Sequence, residues 1–315
     1  MSESGERTTR TAEPPDHAGR GTSVDSATGV FVAHRNLLFT VAYEMLGSAA
    51  DAEDVLQETW LRWVGVDPAG VRDERAYLVR IVTRQALDRI RVLGRRKESY
   101  VGPWLPEPLL TAPDVAEDVE LADSISLAML LVLETLAPVE RAVFVLREVF
   151  DLPYGEIAEA VGKSPAAVRQ LAYRARSHVA ERRPRGPVSP AQTRAALRAF
   201  QRAVETGELQ GLLDVLAPDV VALSDGGGIV HALPRPAVGT DEVARLLASG
   251  WWQRGGTRSV EPVQINGGPG LLVRIGGKID GVVAVQVEDG YVTGAYHVRN
   301  PEKLARLERE TAVSR

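Results

Sequence analysis

Residues 154–176 read YGEIAEAVGKSPAAVRQLAYRAR, and this run decides how the first half of the chain is read. Ile157, Ala158 and Val161 recur at helical spacing and make one face of a short helix. Gly162 ends that helix as a residue that tolerates positive φ. Ser164 and Pro165 restart one, as N-cap and first helical position. Val168, Leu171, Ala172 and Ala175 form the second buried stripe, which leaves Arg169, Arg174 and Arg176 free to face a partner. Two short helices, a tight turn and an arginine-bearing second helix predict a DNA-reading helix-turn-helix. The competing reading is an ordinary αα-hairpin with a solvated basic face.

Composition sets the frame around this motif. At 315 residues the chain has room for two or three domains, each with its own core. It has no cysteine, which excludes disulfides, thiolate nucleophiles and Cys-ligated zinc and suits a reducing cytoplasm. The polar opening stretch, residues 1–27, lacks an apolar segment of the secretory kind and is expected to be disordered. No apolar run reaches membrane-spanning length, so a soluble, cytoplasmic protein without membrane partners is expected. The net charge of −5 is unlike that of a free-standing nucleic-acid binder. Either the DNA contact is local, or another protein supplies most of the affinity.

Working outward, residues 28–99 read as a helical bundle. Leu37, Leu38, Val41, Met45 and Leu46 make a stripe that Gly47 closes. In DAEDVLQETWLRWV (residues 51–64), Leu56, Trp60 and Trp63 form the core face, opposite Glu53, Asp54, Gln57, Glu58 and Arg62. A third helix follows, apolar at Leu78, Ile81, Val82, Leu87 and Ile90 and basic elsewhere. Residues 100–120 form a proline-rich linker, expected to be extended because residues before proline avoid the α region. Helices resume near Leu121 and lead into the helix-turn-helix of residues 121–184. The basic segment ERRPRGPVSP, residues 181–190, reads as a mobile connector.

From residue 190 to 315 the texture changes to α+β. Two helical stretches precede strand-like segments divided by turns rich in Gly and Asp, with an intervening helix at TDEVARLLASGWW and a closing one at NPEKLARLERE. Several antiparallel strands joined by short turns are expected. The glycine clusters SDGGGIV and NGGPG read as strand turns, not as a dinucleotide fingerprint. The five histidines show no metal-ligand spacing, and no phosphate loop or nucleophile elbow occurs, so no cofactor, metal or catalytic residue is expected. Asp225, Asp280 and His297 are the residues that could act as acid and base if a strand-lined pocket gathered them.

DAEDVLQETWLRW, AYLVRIVTRQALDRIR and LAPVERAVFVLREVFDLPYGEIAEAVGKSPAAVRQLAYRAR together resemble the two domains of bacterial extracytoplasmic-function (ECF) sigma factors. The tail resembles a SnoaL-like domain, a cone of curved sheet with helices. WLPEP, DGGG and NPEKL are similar to marks of the sigma subgroup that carries such a tail in place of a separate anti-sigma protein. Arg84 stands where many relatives have asparagine, and Ile229 where a lysine is usual. The resemblance implies a non-enzymatic transcription factor that joins core RNA polymerase and promoter DNA, with the tail regulating in cis and offering a place for a small-molecule ligand. It implies polymerase docking by Glu53, Asp54, Gln57 and Glu58, and downstream-element contact by Arg80, Arg84, Asp88 and Arg91. Upstream-element reading falls to Ser164, Pro165, Ala166, Arg169, Gln170, Tyr173 and Arg174. An interdomain contact is expected among Trp104, Pro106, Asp225, Gly226, Gly227, Asn300 and Pro301. The alternatives are a stand-alone helix-turn-helix regulator and a small-molecule cyclase or isomerase in the tail.

Overall fold

The computed structural model describes residues 18–66, 70–112, 115, 118–182, 189–249 and 258–314. Three helices come first: α1 (Ala18–Leu46), α2 (Ala49–Trp63) and α3 (Glu74–Glu98). Ser48 and Asp73 cap α2 and α3, accepting from Asp51 N at 3.2 Å and Ala76 N at 2.9 Å. Helix α1 begins earlier than expected, so residues 18–27 of the supposed leader are helical. Packing fixes the point where this extension joins the bundle. Ala27 is buried, its carbonyl accepts a 2.8 Å bond from Trp63 Nε1, and the Phe31 ring lies 5.4 Å from that of Trp60. The first 17 residues lie outside the described residues. From Leu37 to Leu46 every residue of α1 is buried, because α1 is the axis around which the other helices pack.

The second helical unit comprises α4 (Val119–Ile125), α5 (Leu127–Glu134), α6 (Pro138–Phe144), a π-helical turn (Val145–Val149), α7 (Tyr154–Val161) and α8 (Pro165–Ala180). Helices α7 and α8 are the expected helix-turn-helix. Gly162 sits at φ +67°, and Ser164 Oγ accepts from Ala167 N at 3.2 Å, with Pro165 in the first turn. This unit does not stand apart from the first. Helix α7 packs on α3, and one hydrophobic core runs through both units.

The tail contains α9 (Pro190–Thr206), α10 (Leu209–Val215), β1 (Leu216–Asp225), β2 (Ala237–Val238), α11 (Thr240–Ala248), β3 (Arg258–Ile265), β4 (Gly268–Ile275), β5 (Lys278–Glu288), β6 (Tyr291–Val298) and α12 (Pro301–Leu304). The sheet order is β2-β1-β6-β5-β4-β3. Most neighbours pair antiparallel, but the sheet is mixed, because β1 runs parallel to β6. The first long strand therefore closes against the last, and helix and hairpins together form the crossover that parallel strands require. Both faces of the sheet are covered. Leu271, Val273, Val283 and Val285 meet Phe200 and Val204 of α9, while Leu272, Val282 and Ala284 meet Leu105, Leu127, Leu304 and Leu307.

The linker is extended as expected, and it lies against the tail. Leu110 bridges Ile265 in antiparallel fashion, Thr111 N donates to Gln264 O at 3.1 Å, and Asn266 N donates to Leu109 O at 2.9 Å. It thus makes a single antiparallel bridge at the end of the β3 edge. The closing helix is shorter than the expected NPEKLARLERE. After Leu304 the chain turns so that Thr311 N reaches Leu110 O at 2.8 Å and Ser314 N reaches Thr40 Oγ1 at 3.1 Å. Residues 183–188 of the connector and Trp251 and Trp252 lie outside the described residues.

Candidate interaction sites

The helix-turn-helix offers a continuous polar surface. Ser164, Pro165 and Ala166 are exposed at the start of α8, and Arg169, Gln170, Tyr173 and Arg174 continue that face. Arg174 is held by Glu140 at 3.2 Å and Arg176 by Glu148 at 3.7 Å, so both reach outward from acidic partners on the same unit.

The acidic face of α2 is tied sideways but remains accessible. Glu53 pairs with Arg35 at 2.8 Å, and Arg89 of α3 reaches both Asp54 and Glu58 at 3.3 Å. Gln85 donates to Glu58 at 2.9 Å. Even so, the Asp54 and Glu58 side chains keep 55% and 50% exposure, and Gln57 is exposed beside them.

The basic face of α3 is engaged by the helix-turn-helix. Arg84 Nη2 donates to Glu159 O at 2.7 Å, and Arg80 pairs with the Glu159 carboxylate at 3.2 Å. Arg84 thus supplies donors to carbonyls at the end of α7, which no intrahelical partner satisfies. Asp88 and Arg91, one turn further along, pair with each other.

Between the helical half and the tail lies a clamp built on Trp104. Lys97 Nζ sits 3.5 Å and Lys303 Nζ 4.2 Å from its ring centroid, one lysine from α3 and one from α12. Lys97 is paired with Glu134 of α5 and Lys303 with Asp225 of β1. Burial lowers the pKa of both lysines, and the partner carboxylate opposes that shift in each. Burial would raise Glu134, but Arg141 and Lys97 outweigh it and hold its carboxyl below the usual range.

Asp225 is fully buried at the centre of this clamp. Its carboxylate accepts from Tyr100 Oη at 2.6 Å, Leu105 N at 2.9 Å, Gly227 N at 3.0 Å and Lys303 Nζ at 2.7 Å. Burial, followed by the hydrogen bond to Asp225, raises the Tyr100 phenol. Asn300 caps α12 through Glu302 N at 3.0 Å and donates to Tyr100 Oη at 2.8 Å, with Pro301 following in the first turn. A Cβ on Gly227 would lie 2.5 Å from the Asn300 amide, so only glycine fits there. Gly226 is buried beside it and Pro106 is buried in the linker.

A second contact arises from a turn read only as a hairpin. Asn266 and Gly267 join β3 to β4 at φ +55° and +71°, the geometry of a tight Asn-Gly turn. Asn266 is fully buried: its Nδ2 donates to Tyr43 Oη at 2.7 Å and Ile125 O at 2.8 Å, and its Oδ1 accepts from Leu109 N at 2.9 Å. Glu107 of the linker caps α2, accepting from Ala50 N at 3.0 Å, and Tyr43 Oη donates to Glu107 O at 2.7 Å. The sequence reading missed Tyr43, Lys97, Tyr100, Glu107, Asn266 and Lys303. One signal was present, since the chain has 33 arginines and four lysines and two of those lysines flank Trp104.

Asp225 does not join Asp280 and His297, whereas the Asp280 charge does act on the His297 imidazole. Strand alternation turns Asp225 to the clamp while its neighbour Ser224 faces the cone, and Asp280 pairs with Arg299 at 2.9 Å. His297 lines the cone cavity, an apolar space of about 40 Å³ among Phe200, Leu246, Leu271 and Val283. Burial and then the Arg299 charge lower the imidazole to about 3, with Asp280 opposing and Arg258 adding to the shift, so it is neutral. Among the described residues no group of His, Asp or Glu could hold a metal ion, and no helix is long and apolar enough to cross a membrane.

Residues 30–96 match the family model for Sigma-70 region 2, and residues 126–179 match that for Sigma-70, region 4. The chain is 36% identical over 289 residues to the ECF RNA polymerase sigma factor SigJ of Mycobacterium tuberculosis, covering 87% of this chain and 92% of that protein. It is 34% identical over 290 residues to the probable ECF sigma factor SigI of the same species, covering 91% of this chain and 97% of that protein. The crystal structure of SigJ superposes with a TM-score of 0.72 at 33% identity, over 89% of this chain and 99% of that one. Two helical units in this order, a helix-turn-helix in the second and likeness along nearly the whole length lead to one conclusion: the chain belongs to the ECF RNA polymerase sigma factors, non-enzymatic proteins that bind core polymerase and direct promoter recognition, here with an α+β tail.

Proposed function

We propose that the tail regulates this sigma factor in cis by holding its two DNA-reading domains closed on each other. The observation that carries this reading is the buried Asp225 carboxylate, which binds Tyr100 and Leu105 of the inter-domain linker together with Lys303 of the tail. Once the linker is fixed on the tail, α7 remains against α3 and occupies Arg80 and Arg84. Those arginines, with Asp88 and Arg91, are the groups we assign to the downstream element, where guanidinium groups suit phosphates and unstacked bases. The closed state therefore competes with promoter binding. Opening costs the clamp contacts, and core polymerase offsets that cost by preferring the open state. Docking is assigned to Glu53, Asp54, Gln57 and Glu58, the acidic face that stays accessible when the protein is closed. The upstream element is assigned to the exposed face of α8, from Ser164 to Arg174, placed in the major groove.

A small-molecule ligand in the cone has less support. The cavity of about 40 Å³ is too small for an organic ligand unless its lining moves apart. A stand-alone repressor is disfavoured by the net charge of −5, which leaves most of the nonspecific phosphate attraction to polymerase.

Run-off transcription with purified core polymerase tests the cis reading. Asp225→Asn and Trp104→Ala in the full chain are expected to raise core affinity and transcript yield. Unaltered affinity and yield in both variants would overturn it.

A further inference from the structure

Helix α9 carries Arg194, Arg198 and Arg202 at steps of four residues, in one row about 6 Å apart along the axis. All three are exposed, on the side opposite the buried face of Leu197, Phe200 and Val204. Among the described residues no acidic side chain pairs with any of them, whereas Arg35, Arg89 and Arg299 are all held by carboxylates. Like charges four residues apart destabilise a helix, so fold stability does not account for the row. Beside it runs an open trough of about 590 Å³ lined by Ala195, Ala199 and Gly211, which lets a bulky rail approach the helix closely. Glu208 and Asp214 border the trough on the α10 side and keep a polyanion on the arginine ridge.

The connection to α8 limits where this ridge can be. Helix α8 ends at Ala180 and α9 starts at Pro190, so the chain between them spans about 35 Å at full extension. That is about one turn of B-form DNA. Whatever the tail does when α8 lies in the major groove, α9 stays within reach of the flanking duplex.

We propose that α9 is a second, sequence-independent DNA contact, in which Arg194, Arg198 and Arg202 hold the sugar-phosphate backbone of the promoter duplex beside the element read by α8. Guanidinium groups match phosphate geometry, and backbone contacts add affinity and register without reading sequence. In a chain of net charge −5, a local ridge of this kind is where phosphate attraction can be placed.

The test is promoter affinity of reconstituted holoenzyme as a function of salt, for the wild type and for full-length chains with all three positions changed Arg→Gln or Arg→Lys. The Gln variant is expected to flatten the log–log slope by roughly 0.9 for each arginine lost, so a fourfold rise in salt costs the wild type on the order of 40-fold more affinity than the variant. The Lys variant should keep the wild-type slope, and scrambling the flanking sequence should change nothing. An unchanged slope in the Gln variant would overturn the proposal. So would a loss of core-polymerase affinity with the DNA slope intact, which would assign the ridge to polymerase. Because the readout is DNA affinity of assembled holoenzyme, failure here is separable from failure of the cis-regulatory reading.

Discussion

Asn266 and Tyr43 are 223 positions apart in the chain, yet the Asn266 amide donates to the Tyr43 hydroxyl at 2.7 Å. A turn of the tail thereby enters the core beside α1 and meets the linker and α4 at the same point. Burial raises the Tyr43 phenol, so the hydroxyl keeps its proton and donates in turn to Glu107 O.

Asn266→Gly is the cleanest probe of this contact, because glycine tolerates the φ of +55° and only the side chain is lost. The change leaves Ile125 O and Leu109 N unpaired in a buried site, at a cost of about 2 kcal/mol or more. Thermal unfolding should show the loss, and small-angle scattering should show an expanded particle. A full-length variant as compact and stable as the wild type would contradict the assignment.

Replacing the clamp aromatic separates cation–π attraction from packing. Trp104→Leu keeps an apolar side chain but removes the ring between Lys97 and Lys303, for a loss of about 0.5–2 kcal/mol. Amide exchange across residues 100–112 should accelerate while exchange within α8 does not. Uniform acceleration would indicate general destabilisation instead.

Charge reversal at Asp54 and Glu58 should weaken core binding in a pull-down. The bundle should survive, because Arg89 retains Asp51 at 3.4 Å. Helix content by circular dichroism checks the fold, and wild-type affinity in the pull-down would remove the docking role.

Arg174→Ala should cost about 1–3 kcal/mol at a single base pair of the upstream element. Binding to a panel of singly substituted promoters reads this directly. An equal loss on every promoter would mean that Arg174 contacts phosphate.

Glu44 makes stability depend on pH. Burial against α4 raises its carboxyl to about 8, and the Ser124 bond at 2.8 Å and the Arg141 charge only partly oppose that. A folded pKa above the unfolded value means stability is fully present below about 4.5 and is lost as pH rises through about 8. Glu134, Glu107 and Tyr43 also face this region. Melts across that range should show proton uptake on folding in the wild type and its removal in Glu44→Gln. Parallel pH curves for the two proteins would refute the linkage.

Local pattern was enough to locate the long helices and the helix-turn-helix, though not the ends of α1 and α12. Gly162, Ser164 and Pro165 act within four residues of one another, so their effect depends on no distant part of the chain. The strand segments were legible for the same reason, since side-chain alternation and Asn-Gly turns are local. The segments WLPEP, DGGG and NPEKL were read through their resemblance alone, which did not reveal the chemistry of any contact.

What only the tertiary structure decided are the relationships between elements far apart in sequence. The parallel pairing of β1 with β6 and the early end of α12 follow from packing, and the earlier start of α1 over residues 18–27 was likewise seen only in the structure. Asn266 satisfies a local rule for a turn and, with the same side chain, bonds Tyr43, Leu109 and Ile125. Arg84 looks free on an exposed helix face until α7 brings its unsatisfied carbonyls within 2.7 Å. Sequence periodicity tells which face of a helix is polar, but it carries no information about which distant surface will cover that face.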